Sequence, residues 1–305
     1  MASTLDTPIL IAGGGPTGLT LASVLAQGGV NCVLAERNPS TTRFPKMDIT
    51  TGPSMELLRR LGVDAQLREV GVAPQHSFDV IFAPGLGGPE IGRWRLPSVD
   101  EQRASLQNSP HDGTRPAQPW QRLSQALFEE VMMQRCQRDP LIDVRQGWRL
   151  EGCAEVDGAV RATLVNSAGE SMIVRADYLV GCDGASSRVR TELGIDMAGA
   201  PAFTSFALVH FRSTDLANLR ALGQFWHLFF TNGVTVIAQD EVDTWTLHVD
   251  LGPDVDEEDP IGDPTEFVKR ALGRPVEIDE ILASSIWGPN ALLADSYGRD
   301  RILLA

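Results

Sequence analysis

The chain has 305 residues, 43% of them hydrophobic and 22% charged, which suits a globular protein of one large or two ordinary domains. Its net charge of −14 argues against a nucleic-acid or anionic-membrane partner. No apolar run approaches a membrane span, and the opening Met1-Ala2-Ser3-Thr4-Leu5-Asp6 lacks a basic region followed by an apolar core, so the expected location is the cytoplasm.

The first element is an apolar strand, Ile9-Leu10-Ile11-Ala12, that ends in Gly13-Gly14-Gly15-Pro16-Thr17-Gly18 and passes into a helical pattern. This is G-x-G-x-x-G in strand–turn–helix context. Gly13 permits the sharp turn, Gly15 lets a pyrophosphate approach the backbone, and Gly18 lets the helix pack close to the sheet. The helix N-terminus then faces the phosphates with free N–H groups and the positive end of its dipole. Gly13, Gly15, Pro16, Thr17 and Gly18 are therefore candidate dinucleotide contacts. A second strand, Asn31 to Glu36, ends in a carboxylate eighteen residues after Gly18 (36 − 18). Glu36 is placed to accept from ribose hydroxyls and to repel a 2′-phosphate.

Arg37 to Thr51 is polar and turn-rich, and a helix follows over 53–62, with proline at its start and glycine at its end. Residues 77–82 and 91–96 read as strands around a Gly/Pro turn, and 98–119 as a polar surface loop. An amphipathic helix is expected over 121–138, with Leu123, Ala126, Leu127, Val131 and Met132 on its apolar face. Strands at 143–146, 160–165 and 171–175 suggest an antiparallel meander, and Tyr178 to Cys182 a strand buried on both faces.

From Phe203 the pattern alternates with period two and is rich in aromatics over 205–211, 225–230, 235–238 and 245–249. This predicts an antiparallel sheet with an aromatic face that serves as core or as one wall of an apolar pocket. Asp254 to Asp259 reads as a solvated acidic loop. A helix at 265–272 and strands near 277–287 and 301–305 complete the chain. Cys32, Cys136, Cys153 and Cys182 are scattered, as are the five histidines, so neither a disulfide set nor a metal site is indicated.

Asp183-Gly184-Ala185-Ser186-Ser187-Arg188-Val189-Arg190 follows the Tyr178–Cys182 strand. A lone Asp-Gly marks a turn more often than a site. Together with the glycine loop, however, this stretch resembles the strand-D-G-x-x-S-x-V-R motif of the flavin-dependent aromatic hydroxylases, the class A FAD monooxygenases related to p-hydroxybenzoate and phenol hydroxylases. Ala35-Glu36-Arg37, Arg43-Phe44-Pro45-Lys46 and the 55–62 helix are similar to the family's flavin-contacting loop and the helix after it. Gln121-Arg122-Leu123 resembles the segment whose glutamine approaches the flavin. Lys46 and Pro53 stand where the family favours arginine. Tyr297 to Ala305 resembles the strand leading into the family's Gly-Asp motif, which would begin immediately after Ala305, so the sequence reads as a fragment of a longer enzyme.

The resemblance implies an α/β fold: a Rossmann-like FAD-binding domain (parallel sheet with an antiparallel meander) and an α+β substrate domain built on an antiparallel sheet. The expected division is 1–75, 110–200 and 289–305 for FAD, and 76–109 and 201–288 for substrate. It implies hydroxylation of a phenolic or other electron-rich aromatic substrate with O2 through a flavin hydroperoxide, FAD being reduced by NADPH or NADH as transient co-substrate. A homodimer is the candidate assembly. The cofactor contacts implied are Gly13, Gly15, Pro16, Thr17, Gly18, Glu36, Arg37, Arg43, Gln121, Asp183 and Gly184. Asp48 aligns with the substrate-activating aspartate of the phenol hydroxylase branch. Phe225, His227, Phe229 and Trp245 are candidates for the substrate pocket. Two alternatives stay open: another FAD-dependent oxidoreductase of the same fold, and a truncated, non-catalytic FAD- or nucleotide-binding module.

Overall fold

The structure is a computed structural model that describes residues 3–110, 112–253 and 259–305. Most of the acidic stretch expected as a solvated loop, residues 254–258, lies outside the described residues. The chain divides into two compact units, Met1–Thr42, Phe128–Gly199 and Leu292–Ala305 in the first, and Arg43–Leu127 and Ala200–Ala291 in the second. Residues 43–75 and 110–127 thus fall in the second unit.

The first unit is built on a sheet in which Ser171–Gly181, Ser3–Ala12, Cys32–Glu36 and Ile142–Gln146 lie side by side and parallel. Leu10, Ile11 and Leu34 have no exposed surface, as expected of strands covered on both faces. The helix Pro16–Gln27 follows the first strand, with Pro16 in its first turn, where a missing N–H costs nothing. Ile302–Leu304 joins Ser171–Gly181 in parallel on its other side. The meander is present, but its members are Trp148–Val156, Ala159–Asn166 and Ser171–Gly181. The 142–146 strand expected within it instead pairs in parallel with Cys32–Glu36.

The second unit carries a seven-stranded sheet in the order Glu280–Trp287, Ser205–Arg212, Thr244–Gly252, Val234–Ala238, His227–Phe230, Val80–Ala83, Gly92–Trp94. Only the His227–Phe230 and Val80–Ala83 pair is parallel among these neighbours. Alternation sends Leu228, Phe230, Val236, Leu247 and Val209 into a core shared with Phe267 and Val268 of the helix Pro264–Leu272. Residues opposite one another across strands share a face. His227 registers with Ile237, which registers with Thr246; Phe229 registers with Thr235, which registers with His248. His227, Phe229 and His248 therefore stand together on the other face.

Two expectations are corrected here. The 98–119 loop contains a helix, Val99–Gln107, opened by a capping box in which Ser98 and Glu101 satisfy each other's backbone N–H. The helix expected from residue 121 begins at Gln125 instead, because Gln121–Arg122 forms a short strand with Ile49–Thr50. Its buried face is Phe128, Glu129, Met132, Met133 and Cys136, while Leu127 is exposed.

Candidate active site

The two motifs of the first unit meet because the first strand and Ser171–Gly181 run in parallel register, Ala12 beside Gly181. Cys182 N–H then donates to the Ala12 carbonyl at 2.7 Å. Gly13 has φ +109°, and a Cβ there would stand 2.3 Å from the Cys182 carbonyl oxygen. A Cβ on Gly18 would meet the Gly13 carbonyl at 2.0 Å. These two glycines let strand, turn and helix close on one another. Gly15 is different: a Cβ there would meet only Glu129 Oε1, at 3.9 Å, so open space lies above it. The helix that Gly15 caps has no side-chain cap and no acidic residue in its first turn. Backbone donors beside open space suit a pyrophosphate.

Glu36 is held in place. Its Oε2 accepts from Gly14 N–H at 2.7 Å, and its Oε1 accepts from Asn38 N–H at 2.8 Å and Asn38 Nδ2 at 2.7 Å. These use three of a carboxylate's roughly four acceptor sites, which leaves capacity for a ribose hydroxyl. Gly14 has its own reason to be glycine, since a Cβ would lie 2.8 Å from Glu36 Cβ. The sequence motif leaves Gly14 as a free position; the close approach of the second strand makes it glycine.

Asp183 Oδ2 accepts from the backbone N–H of Arg188 at 2.6 Å and of Val189 at 3.1 Å, tying the turn to the helix Arg188–Glu192. Its Oδ1 is buried and has no partner. Gly184, at φ +76°, makes the turn. An orphaned acceptor, an anchored ribose acid and an unobstructed glycine N-terminus fit the adenosine half of FAD.

In the second unit Asp48 is partly buried, 22% exposed. Trp226 Nε1–H donates to Asp48 Oδ2 at 2.9 Å, and His227 Nε2 stands 3.5 Å from the same oxygen. Burial pushes the His227 imidazole down to about 4, against the opposing pull of Asp48. Burial likewise lowers His248, whose interaction with Asp48 works the other way. Both rings are therefore neutral near pH 7. Arg122, 1% exposed, donates to the Ala238 carbonyl, while its Nε and Nη1 find no acceptor. It stacks 5.8 Å from Phe78 and 6.0 Å from Trp226. Burial brings its guanidinium to about 10, and Asp48 is the largest opposing influence. Arg122 stays charged at neutral pH.

The remaining candidates are dispersed. Phe225 and Trp245 have no exposed surface; they pack on each other at 6.0 Å, and Arg220 lies 4.8 Å above the Trp245 ring. As placed they offer no wall to a ligand: Trp245 has the core-facing parity of Leu247, and Phe225, just before its strand, packs into the same core. Phe229 is exposed on the face that carries His227 and stacks on Phe82 at 5.6 Å. Gln121 is buried: its Nε2 donates to the Val72 and Arg122 carbonyls and its Oε1 accepts from Arg68. Both its amide hydrogens are spent inside the unit, whereas Gln125, in the first turn of the helix that follows, is only partly buried. Arg37 and Arg43 are exposed. Trp226, Arg122 and His248 are the residues that inspection of the sequence does not bring to Asp48. They come from three separate segments, and no local spacing links them.

The first unit carries a strand–glycine-turn–helix cradle, and the second an aspartate hydrogen-bonded to Trp226, next to the strand that bears His227. The FAD binding domain family model matches residues 6–305, and the chain belongs to that family, among the class A flavin aromatic hydroxylases. It is 43% identical to the FAD-dependent monooxygenase apdD of Emericella nidulans over 97% of this chain and 50% of that protein. It is 40% identical to the FAD-dependent monooxygenase opdD of Penicillium oxalicum over 82% of this chain and 50% of the relative. A solved structure of the rebeccamycin biosynthetic enzyme RebC with reduced flavin superposes with a TM-score of 0.83 at 29% identity, covering 99% of this chain and 56% of RebC. The chain spans about half the length of the curated relatives it matches. Among the described residues, no helix is long and apolar enough to cross a membrane.

Proposed function

We propose that the protein is an FAD-dependent monooxygenase that hydroxylates a phenolic or other electron-rich aromatic substrate, with NADPH or NADH as the transient reductant. The observation that carries this reading is Asp48: a partly buried carboxylate that accepts from the Trp226 indole and has the neutral His227 ring 3.5 Å away, in a chain whose first unit has a cradle suited to a dinucleotide. In this reading the first unit holds FAD and the second holds the substrate. Gly13 to Gly18 take the pyrophosphate, Glu36 the ribose, and Asp183 with Gly184 the approach to the pyrophosphate from the neighbouring strand. Once bound and reduced, FAD would supply the activation of O2, one atom of which is transferred to the ring.

The chain's own residues supply orientation and a proton acceptor. Asp48 takes the proton of a ring hydroxyl, which leaves the ring more electron-rich at the carbons ortho and para to it. Arg122 places a buried cation near Asp48. His227 and His248, neutral at pH 7, add no second cation to hold the phenolate oxygen back. Phe229 and Phe82 offer an apolar shelf beside them.

The test is Asp48→Asn in FAD-loaded protein. It is expected to keep its flavin absorbance and to lose roughly 10²- to 10⁴-fold in hydroxylated product, the usual worth of a general base. Wild-type turnover in that variant contradicts the reading.

A further inference from the structure

One oxygen of Asp48 has two ring nitrogens beside it: Trp226 Nε1–H donates to Oδ2 at 2.9 Å, and the neutral His227 ring approaches the same oxygen with Nε2 at 3.5 Å. The groups that meet there are fixed by backbone from three directions. The Asp48 carbonyl accepts from Leu123 N–H at 3.1 Å, beside the Ile49–Thr50 and Gln121–Arg122 pairing. Trp226 N–H donates to the Asp79 carbonyl at 2.8 Å, and the Trp226 carbonyl accepts from Ala238 N–H at 3.0 Å. His227 sits in register between Val80 and Ile237.

The rings are wedged as well. Trp226 meets Phe78 edge-on at 6.2 Å and carries the Arg122 cation at 6.0 Å. The His227 ring lies 4.3 Å from Trp226 and stacks on Phe229 at 5.7 Å. A carboxylate so held cannot exchange its two oxygens by rotation without breaking the indole hydrogen bond.

We propose that Trp226 and His227 are positioning residues that clamp Asp48 through Oδ2 and present Oδ1 to an acidic hydroxyl on the substrate's reacting ring. This rests on the reading of Asp48 as the proton acceptor. The proton of the ring O–H passes to Oδ1 while the O–H electron pair stays on the ring oxygen. The step needs no oxidant. The charged and titratable groups facing Asp48 are Arg122 from the short strand beside it, His227 from the neighbouring sheet strand and His248 two strands further across.

The experiment uses FAD-loaded protein labelled with 15N at tryptophan and 13C at aspartate carboxyls. The Trp226 indole resonance is expected to shift between wild type and Asp48→Asn at fixed pH. Trp226→Phe removes one donor to the carboxylate and is expected to move the Asp48 carboxyl 13C resonance at fixed pH and to lower kcat at unchanged FAD content. His227→Gln, which keeps an N–H donor, is expected to restore most of what His227→Phe loses in kcat at unchanged FAD content.

An indole resonance unchanged by Asp48→Asn, or an Asp48 carboxyl 13C resonance unmoved by Trp226→Phe, overturns the clamp. Should Trp226→Phe fail to fold, the indole resonance in wild type and Asp48→Asn decides alone. If Asp48→Asn loses turnover while the indole resonance is unchanged, the clamp fails and the base survives. If Asp48→Asn keeps full turnover, the base itself has failed, and this inference with it.

Discussion

Gly13 and Gly15 look equivalent in the motif, yet their surroundings separate fold from ligand. Gly13→Ala places a methyl 2.3 Å from the Cys182 carbonyl at φ +109°. It is expected to cost at least about 2 kcal/mol of stability, read as a lowered Tm in the apo protein. Gly15→Ala meets nothing nearer than 3.9 Å. Its apo stability should stay within about 0.5 kcal/mol of wild type, while FAD affinity, measured by flavin fluorescence, drops roughly tenfold or more. Equal effects of the two substitutions on apo stability would contradict this division. Among single residues the sequence misleads at Gln121, whose amide is consumed by Arg68, Val72 and Arg122. A side chain's partners come from segments far away in the chain, and a motif match cannot show them.

Among the elements, periodicity locates the strands well and their faces less well. The alternation over 205–249 is real, but Phe225 precedes its strand and Trp245 has the parity of Leu247, so both enter the core. The face that keeps polar and aromatic groups together is the one bearing His227, Phe229 and His248. The helix Val99–Gln107 is hidden from periodicity because its only fully buried residue is Val99, and its signal lies in the cap rather than in an apolar stripe. The buried histidines of the second sheet give this unit a pH dependence. His227, His210 and His248 all have imidazoles lowered from 6.5 by burial, His227 to about 4. The unfolded chain takes up these protons first, so stability is full above about pH 6.5 and is lost as pH falls towards 4. Tm measured across that window should fall, and should fall less steeply in His227→Phe. An identical slope in the variant would remove His227 as a contributor.

Across the whole chain, the glycine loop and Asp183 lie far apart in sequence, yet the parallel pairing of their strands makes them neighbours. That both are buried strands was legible, because each is a continuous apolar run that ends in turn residues; their pairing was not, because it joins segments far apart in the chain. The grouping of Asp48 with Trp226 and Arg122 was not, because it depends on how the second sheet is threaded. The four cysteines are free, and burial pushes Cys32 and Cys182 up to about 12 and Cys153 to about 11, while Cys136 is raised too. Since the thiolate is the reactive form, native protein is expected to resist a thiol reagent near neutral pH and to release four reactive thiols on denaturation. Rapid labelling of the native protein would show that these side chains are not held as described.

The role of Asp48 as proton acceptor in an FAD-dependent hydroxylation is the proposal on which the rest depends. It is tested most directly by measuring hydroxylated product per nicotinamide oxidised, at matched FAD occupancy, for wild type and Asp48→Asn. The prediction is coupled product formation in the wild type and a loss of roughly 10²-fold or more in the variant. Product formed at the wild-type rate by Asp48→Asn, or flavin bound with no hydroxylation of any hydroxyl-bearing ring by the wild type, would contradict it.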